Sequence, residues 1–187
     1  MDGTLTIAAH DFEKIRRAIE LPPGEPILEA LDKMSADEAA PKRIKLDEIE
    51  FELARQAKPA PGAKVLMQTL KERHFNVGIL TRNGSEIAIE TLHCCELLEF
   101  FDRQFVLGRE MARPKPHPDG VLQLLRAWKV DARSTVMVGD YYFDLAAGAA
   151  AGTRTIYFDP ACSGHWTSIA DLTVNTHDEL RLLVTGE

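Results

Sequence analysis

From His10 to Lys58 the apolar residues recur three and four positions apart. Phe12, Ile15 and Ile19 share one face, as do Ile27, Leu31 and Met34, and again Leu46, Ile49 and Leu53. This spacing predicts helices, and strand signals in the segment are few. Pro22, Pro23, Gly24 and Pro26 separate the first pieces, Ala39, Ala40 and Pro41 the next, and the segment closes at Pro59, Ala60, Pro61 and Gly62. Helix alternating with turn in this way predicts a small bundle.

After Gly62 the period changes. A helix is predicted through Val65, Leu66 and Leu70, a strand over Val77 to Thr81, and a helix from Ser85 to about Leu97. A short strand at Phe105 to Leu107 follows, then a helix through Val121, Leu122 and Leu125 and a strand at Thr135 to Val138. An alanine-rich helix runs from about Asp144 to Ala151, with further strands at Thr155 to Phe158 and Leu172 to Val174. Strands alternating with helices predict an α/β domain with a mostly parallel sheet covered on both faces. Ligands of such sheets sit beyond the carboxyl ends of the strands.

Composition narrows the picture. The 187 residues are 45% hydrophobic, enough for one sizeable core and a small appended module. A net charge of -7 argues against sequence-independent nucleic-acid binding, which depends on clustered positive charge. No apolar run reaches the roughly 18 residues of a membrane span, and the N-terminus lacks a signal-peptide pattern, so a cytoplasmic protein is expected. Cys94 and Cys95 are adjacent and Cys162 is remote, which offers neither a disulfide framework nor a zinc spacing; buried reduced thiols are expected. Nothing in the sequence indicates the number of subunits.

Chemistry concentrates at the strand ends. Thr81 is followed by Arg82, Asn83 and Gly84, where a hydroxyl and helix-start N–H groups can bind a phosphate oxygen, although a threonine there is more often a cap. Gly139 and Asp140 end another strand and Asp144 follows at the helix start, so two carboxylates can hold a hard cation. The small residues from Leu145 to Gly152 let that helix lie close to the sheet. Lys115 stands between Pro114 and Pro116 on a loop, as an exposed turn residue or as a cation aimed at a carboxylate or phosphate. The chain opens Met1, Asp2, Gly3, Thr4, which by itself reads as a turn.

Together these four elements resemble the motifs of the haloacid dehalogenase superfamily, in order and across nearly the whole chain. The family's first motif, Asp-x-Asp-Gly-Thr, is similar to Met1-Asp2-Gly3-Thr4 without its first position. The second matches the strand ending in Thr81, the third Lys115 to Pro118, and the fourth Gly139, Asp140, Asp144, Gly148 and Gly152. The resemblance implies a three-layer Rossmann-like core over residues 1–9 and 59–187. It also implies a small helical cap over 10–58, inserted after the first motif as in phosphoglycolate phosphatase-like members.

The implied activity is a Mg2+-dependent phosphatase of a small phosphorylated metabolite, such as a phosphosugar or phosphoglycolate, acting through an aspartyl-phosphate. Asp2 would be the general acid and base and a metal ligand, Asp140 and Asp144 further ligands, and Lys115 a charge-balancing catalytic residue. Thr81, Arg82, Asn83 and Lys115 would hold the phosphoryl group. The nucleophile of the family would precede Met1, together with a central strand, so the natural protein is expected to be longer. A sugar phosphomutase, or a binder of phosphate and Mg2+ without turnover, remain the alternatives. In the cap, Arg16, Arg17, Lys42, Arg43 and Lys45 are candidates for a second anionic group, against an ordinary solvated helix surface.

Overall fold

The computed structural model describes residues 1–186. The helical segment forms α1 (Phe12–Ala18), α2 (Ile27–Asp32) and α3 (Ala36–Arg55). Ile15, Ile19, Leu28, Leu31 and Leu46 form a buried cluster drawn from this segment alone. The break expected at Pro41 does not occur, and α3 runs through it. Ser35 and Glu38 cap each other's backbone N–H groups ahead of the proline, which starts the helix before Pro41 is reached. Pro41 then removes one hydrogen bond, to an exposed turn that water can satisfy.

The remainder alternates as α4 (Ala63–Glu72), β1 (Ile79–Leu80), α5 (Ser85–Cys94), β2 (Val106–Leu107), α6 (Asp119–Trp128), β3 (Val136–Gly139), α7 (Tyr142–Ala151), β4 (Arg154–Phe158), β5 (Leu172–Val174) and α8 (His177–Thr185). The last helix had no counterpart in the sequence reading. Every strand pairing is parallel. Side-chain alternation assigns the helices to two layers. Ile79 and Val106 join a cluster with Met67 of α4 and Leu92 of α5, while Leu80 and Leu107 join Leu124 of α6 and Ala147 of α7. Val138, Ile156 and Phe158 pack on Leu66 and Leu180, so α4, α5 and α8 cover one face and α6 and α7 the other.

The sheet is in two parts, β1–β2 and β3–β4–β5. Between them lies a cavity of about 420 Å³ lined by residues of both β1 and β3. This explains why the strand expected over Val77 to Thr81 is regular only at Ile79–Leu80: a ladder with one neighbour holds fewer residues than one with two. It also leaves Val136 of β3 at 40% exposure, where β4 is buried from Thr155 onward. The cysteine expectation holds for Cys95 alone, since Cys94 and Cys162 are exposed. No helix among the described residues is long and apolar enough to cross a membrane.

Candidate active site

The four motif segments meet beyond the carboxyl ends of β1 and β3. At the end of β1 the chain turns sharply: Thr81 Oγ1 accepts from the Asn83 backbone N–H at 3.1 Å, and Thr81 N–H donates to the Leu107 carbonyl. Asn83 Nδ2 donates to Asp2 Oδ2 at 3.1 Å, and Thr6 Oγ1 donates to the other oxygen of Asp2 at 3.3 Å. Arg82 points elsewhere. Its guanidinium donates to the Lys115 carbonyl and to Glu29 Oε2 of α2, the latter at 2.6 Å, and stacks over the Phe143 ring at 4.5 Å.

Lys115 is not an exposed turn residue. It is buried, and its Nζ donates to the Leu80 carbonyl at 2.6 Å and to Asp144 Oδ1 at 2.5 Å. The other Asp144 oxygen accepts the Tyr141 N–H at 3.2 Å. Burial pushes the Asp144 carboxyl up, and Lys115 with these hydrogen bonds overrides that push, holding it below the usual range. Gly139 is required beside it, because an added Cβ would fall on the Asp144 Cβ and carboxyl carbon.

Asp140 is the contrasting carboxylate. Thr4 Oγ1 donates to its Oδ1 at 2.8 Å, and Gly3, at φ +76°, lies where a side chain would strike the carboxylate. Burial raises its pKa, and the charge of Asp144 adds to this against the Met1 amino group and the Thr4 hydroxyl. Among the described residues, no three Asp, Glu, His or Cys side chains are grouped to hold a metal. Asp140 and Asp144 sit together, while Asp2 faces Asn83 and Thr6. The donor chemistry nonetheless fits a hard cation, since Asp140 is a half-buried carboxylate whose pKa is pushed up by desolvation and by the neighbouring Asp144.

Some of these contacts had no sequence signal. Arg109 donates to Glu50 Oε2 at 2.8 Å, to Asp47 and to the Arg82 carbonyl, tying α3 to the loop after β1. Burial lifts Glu50 to about 7 in spite of Arg109. With the pair of Arg82 and Glu29, the basic residues that meet the helical segment's edge come from the loops after β1 and β2. Of the segment's own candidates, Arg16 donates to the Pro22 carbonyl and Lys42 to that of Ile19. Arg43 pairs with Asp32 and Lys45 with Glu48.

Residues 6–158 match the haloacid dehalogenase-like hydrolase family. A haloacid dehalogenase-like hydrolase domain-containing protein of Arabidopsis thaliana is 32% identical over 177 residues, covering 85% of this chain and 68% of the relative. A glyceraldehyde 3-phosphate phosphatase of Pyrococcus abyssi is 31% identical over 99 residues, 52% of this chain and 41% of the relative. The crystal structure of a putative beta-phosphoglucomutase from Thermotoga maritima superposes with a TM-score of 0.71 at 20% identity, covering all of this chain and 96% of that one.

Proposed function

Since the chain belongs to the haloacid dehalogenase-like hydrolase family, we propose that its site hydrolyses a small organic phosphate monoester by way of an aspartyl-phosphate. One observation carries this reading: a closed circuit of contacts joins all four motif segments. It runs from Asp2 through Asn83 to the Thr81 turn, from Arg82 to Lys115, and from Lys115 to Asp144. Asp140 lies beside Asp144, and Thr4 closes the circuit. Phosphatase relatives support the substrate class.

On this reading the acceptor is an aspartate placed immediately before Met1. Its carboxylate oxygen attacks phosphorus, the ester P–O bond breaks, and Asp2 gives its proton to the departing alkoxide. Water then attacks the phosphorus of the acyl phosphate, loses its proton to Asp2, and inorganic phosphate leaves. Thr81, Asn83 and the N–H groups of their turn hold the phosphoryl oxygens, with Arg82 at the edge of that turn. Lys115 keeps Asp144 ionised and in place and offsets negative charge near the phosphoryl group. Mg2+ on Asp140, with Asp144 beside it, would screen the repulsion between a dianionic phosphate and the carboxylates. Residues 10–58 act as a cap over a core of 1–9 and 59–187, joined by the Arg82–Glu29 and Arg109–Glu50 pairs.

The test is hydrolysis of para-nitrophenyl phosphate with Mg2+ by the chain extended with the upstream Asp, beside the 187-residue chain. Turnover should appear only with the extension, and Asp2→Asn in the extended form should lower it at least about 100-fold, the usual worth of a general acid. Equal rates with and without the extension would refute the nucleophile assignment. Phosphoryl transfer to a hexose phosphate faster than to water would make the enzyme a mutase instead.

A further inference from the structure

Beside the circuit of contacts, the fold gathers four aromatic rings. Tyr141, Tyr142 and Phe143 follow Asp140 directly in the chain, and Trp166 comes to them from the loop after β4. The Trp166 ring centroid lies 5.5 Å from that of Tyr141 and 5.6 Å from that of Tyr142. Phe143 meets the same two rings at 5.1 Å and 5.9 Å, so the four contacts close on themselves. Tyr141 is nevertheless 50% exposed and Tyr142 41%. Aromatic surface left in water forgoes the gain of burial, and a contiguous exposed patch of it marks a place where a ligand completes the packing.

The surrounding contacts hold this patch in place and join it to the site. Asp159, buried just beyond β4, accepts from the Ser163 hydroxyl at 3.0 Å and from the Gly164 N–H at 2.7 Å, while Asn175 Nδ2 donates to its carbonyl at 2.6 Å. The loop is thereby pinned two residues before Trp166. On the side of the site, the Arg82 guanidinium lies 4.5 Å over the Phe143 ring, and the Tyr141 N–H donates to Asp144 Oδ2. The patch is therefore continuous with the Thr81 turn and with Asp140 and Asp144, between which the proposed function puts the phosphoryl group.

The chemistry of the patch selects its ligand. Rings in mutual contact enclose little space for an ammonium group, and the cation place over Phe143 is already taken by Arg82. What the patch offers is the half-exposed surface of two tyrosines, which a flat ring covers by stacking. The cap edge that meets the core brings Glu29, Asp47 and Glu50, paired with Arg82 and Arg109. Carboxylates in that position disfavour a second phosphate or carboxylate on the substrate.

We propose that Tyr141, Tyr142 and Trp166 form the leaving-group subsite, and that the substrate is a phosphate monoester whose alcohol carries a flat aromatic ring. The inference deepens the proposed function and rests on it for the place of the phosphoryl group, while the ring subsite stands on the aromatic contacts themselves.

The experiment is calorimetric titration of the 187-residue chain in EDTA, so that binding is read without turnover. Adenosine 5′-monophosphate is compared with ribose 5-phosphate, and adenosine with ribose; phenyl phosphate against methyl phosphate makes the same comparison for a ring carried directly on the ester oxygen. At least one ring-bearing ligand should bind about 5- to 100-fold more tightly than its ringless counterpart, the usual worth of one stacked ring. Tyr142→Ala with Trp166→Ala should bring that ratio to about one, and Tyr142→Phe with Trp166→Phe, which keeps flat rings at both positions, should restore most of it. A ratio near one for all three pairs in the parent chain, or a ratio that survives the alanine pair, would overturn the subsite. A ring advantage for adenosine over ribose, lost in the alanine pair, with no gain from the phosphate of adenosine 5′-monophosphate, would uphold the ring subsite and count against the phosphatase reading.

Discussion

Replacing Lys115 by Met tests the electrostatic centre of the site without reference to any substrate. The ammonium lies 2.5 Å from Asp144 Oδ1 and 2.6 Å from the Leu80 carbonyl, and both side chains are almost fully buried. At that separation, and with an effective dielectric near 20, the attraction is about 6–7 kcal/mol. Part of it only offsets the cost of burying the lysine, which methionine does not incur. What remains is the penalty for an uncompensated buried carboxylate, about 3–5 kcal/mol. Urea unfolding with a chelator present measures it. With a slope of about 2–3 kcal/mol/M, Lys115→Met should lower the midpoint by about 1–2 M at pH 7.

The pH dependence fixes the sign. In the parent protein Asp144 is held below its ordinary 3.8, so its contribution is present above that pH and is lost as pH falls through the folded value. Without Lys115 only the Met1 amino group and the Tyr141 N–H are left to oppose the burial push, and the carboxyl should rise past 3.8. The variant therefore loses stability as pH climbs from about 4 toward 7, and the difference between the two proteins widens over that range. Adding Asp144→Leu to Lys115→Met should recover most of the loss, because the stranded charge is gone. Equal stability of parent and single variant, or a double variant whose loss equals the sum of the two single losses, would refute the reasoning.

Glu50→Gln should flatten a different titration. Burial raises Glu50 from 4.5 to about 7, so the folded protein holds a proton that the unfolded chain releases, and stability falls as pH rises through that window by on the order of 3 kcal/mol; thermal melts from pH 4 to 8 would show the slope reduced in the variant, and an unchanged slope would count against it. Gly139→Ala drives a methyl into Asp144 and should cost about 1–3 kcal/mol, whereas Gly84→Ala, whose added carbon meets nothing nearer than 3.5 Å, should cost less; chemical denaturation compares the two. Leu31→Ala empties a site with no solvent exposure in the helical segment's own cluster and should destabilise that segment by about 2–5 kcal/mol, seen as a loss of helical circular dichroism at lower denaturant.

Much of the fold was legible because it depends on local rules. The change from helical period to alternating helix and strand at Gly62 marks where α3 gives way to the parallel sheet, and β4 and β5 lie within a residue of their expected bounds. The motif residues were legible because short-range geometry places them: Thr81, Lys115, Asp140 and Asp144 all stand where a strand has just ended or a loop turns back over its end. Pro41 misled because a cap several residues upstream decided the helix, whereas α8 carried local signals that went unused: Thr176 caps the Glu179 N–H, and Leu180, Leu183 and Val184 recur three and four positions apart.

Tertiary structure alone decided the rest, since those features depend on residues far apart in the chain. Lys115 becomes buried only when Leu80 and Asp144 close around it, and its own prolines cannot supply either partner. Arg82 and Arg109 acquire Glu29, Asp47 and Glu50 by the docking of α2 and α3 on the loops after β1 and β2, a contact that no local pattern encodes. The amino-acid order determined which groups could do chemistry, while long-range packing determined which of them are charged, buried and paired. Burial and pairing set the free energy of a charge, and both are properties of the folded surroundings.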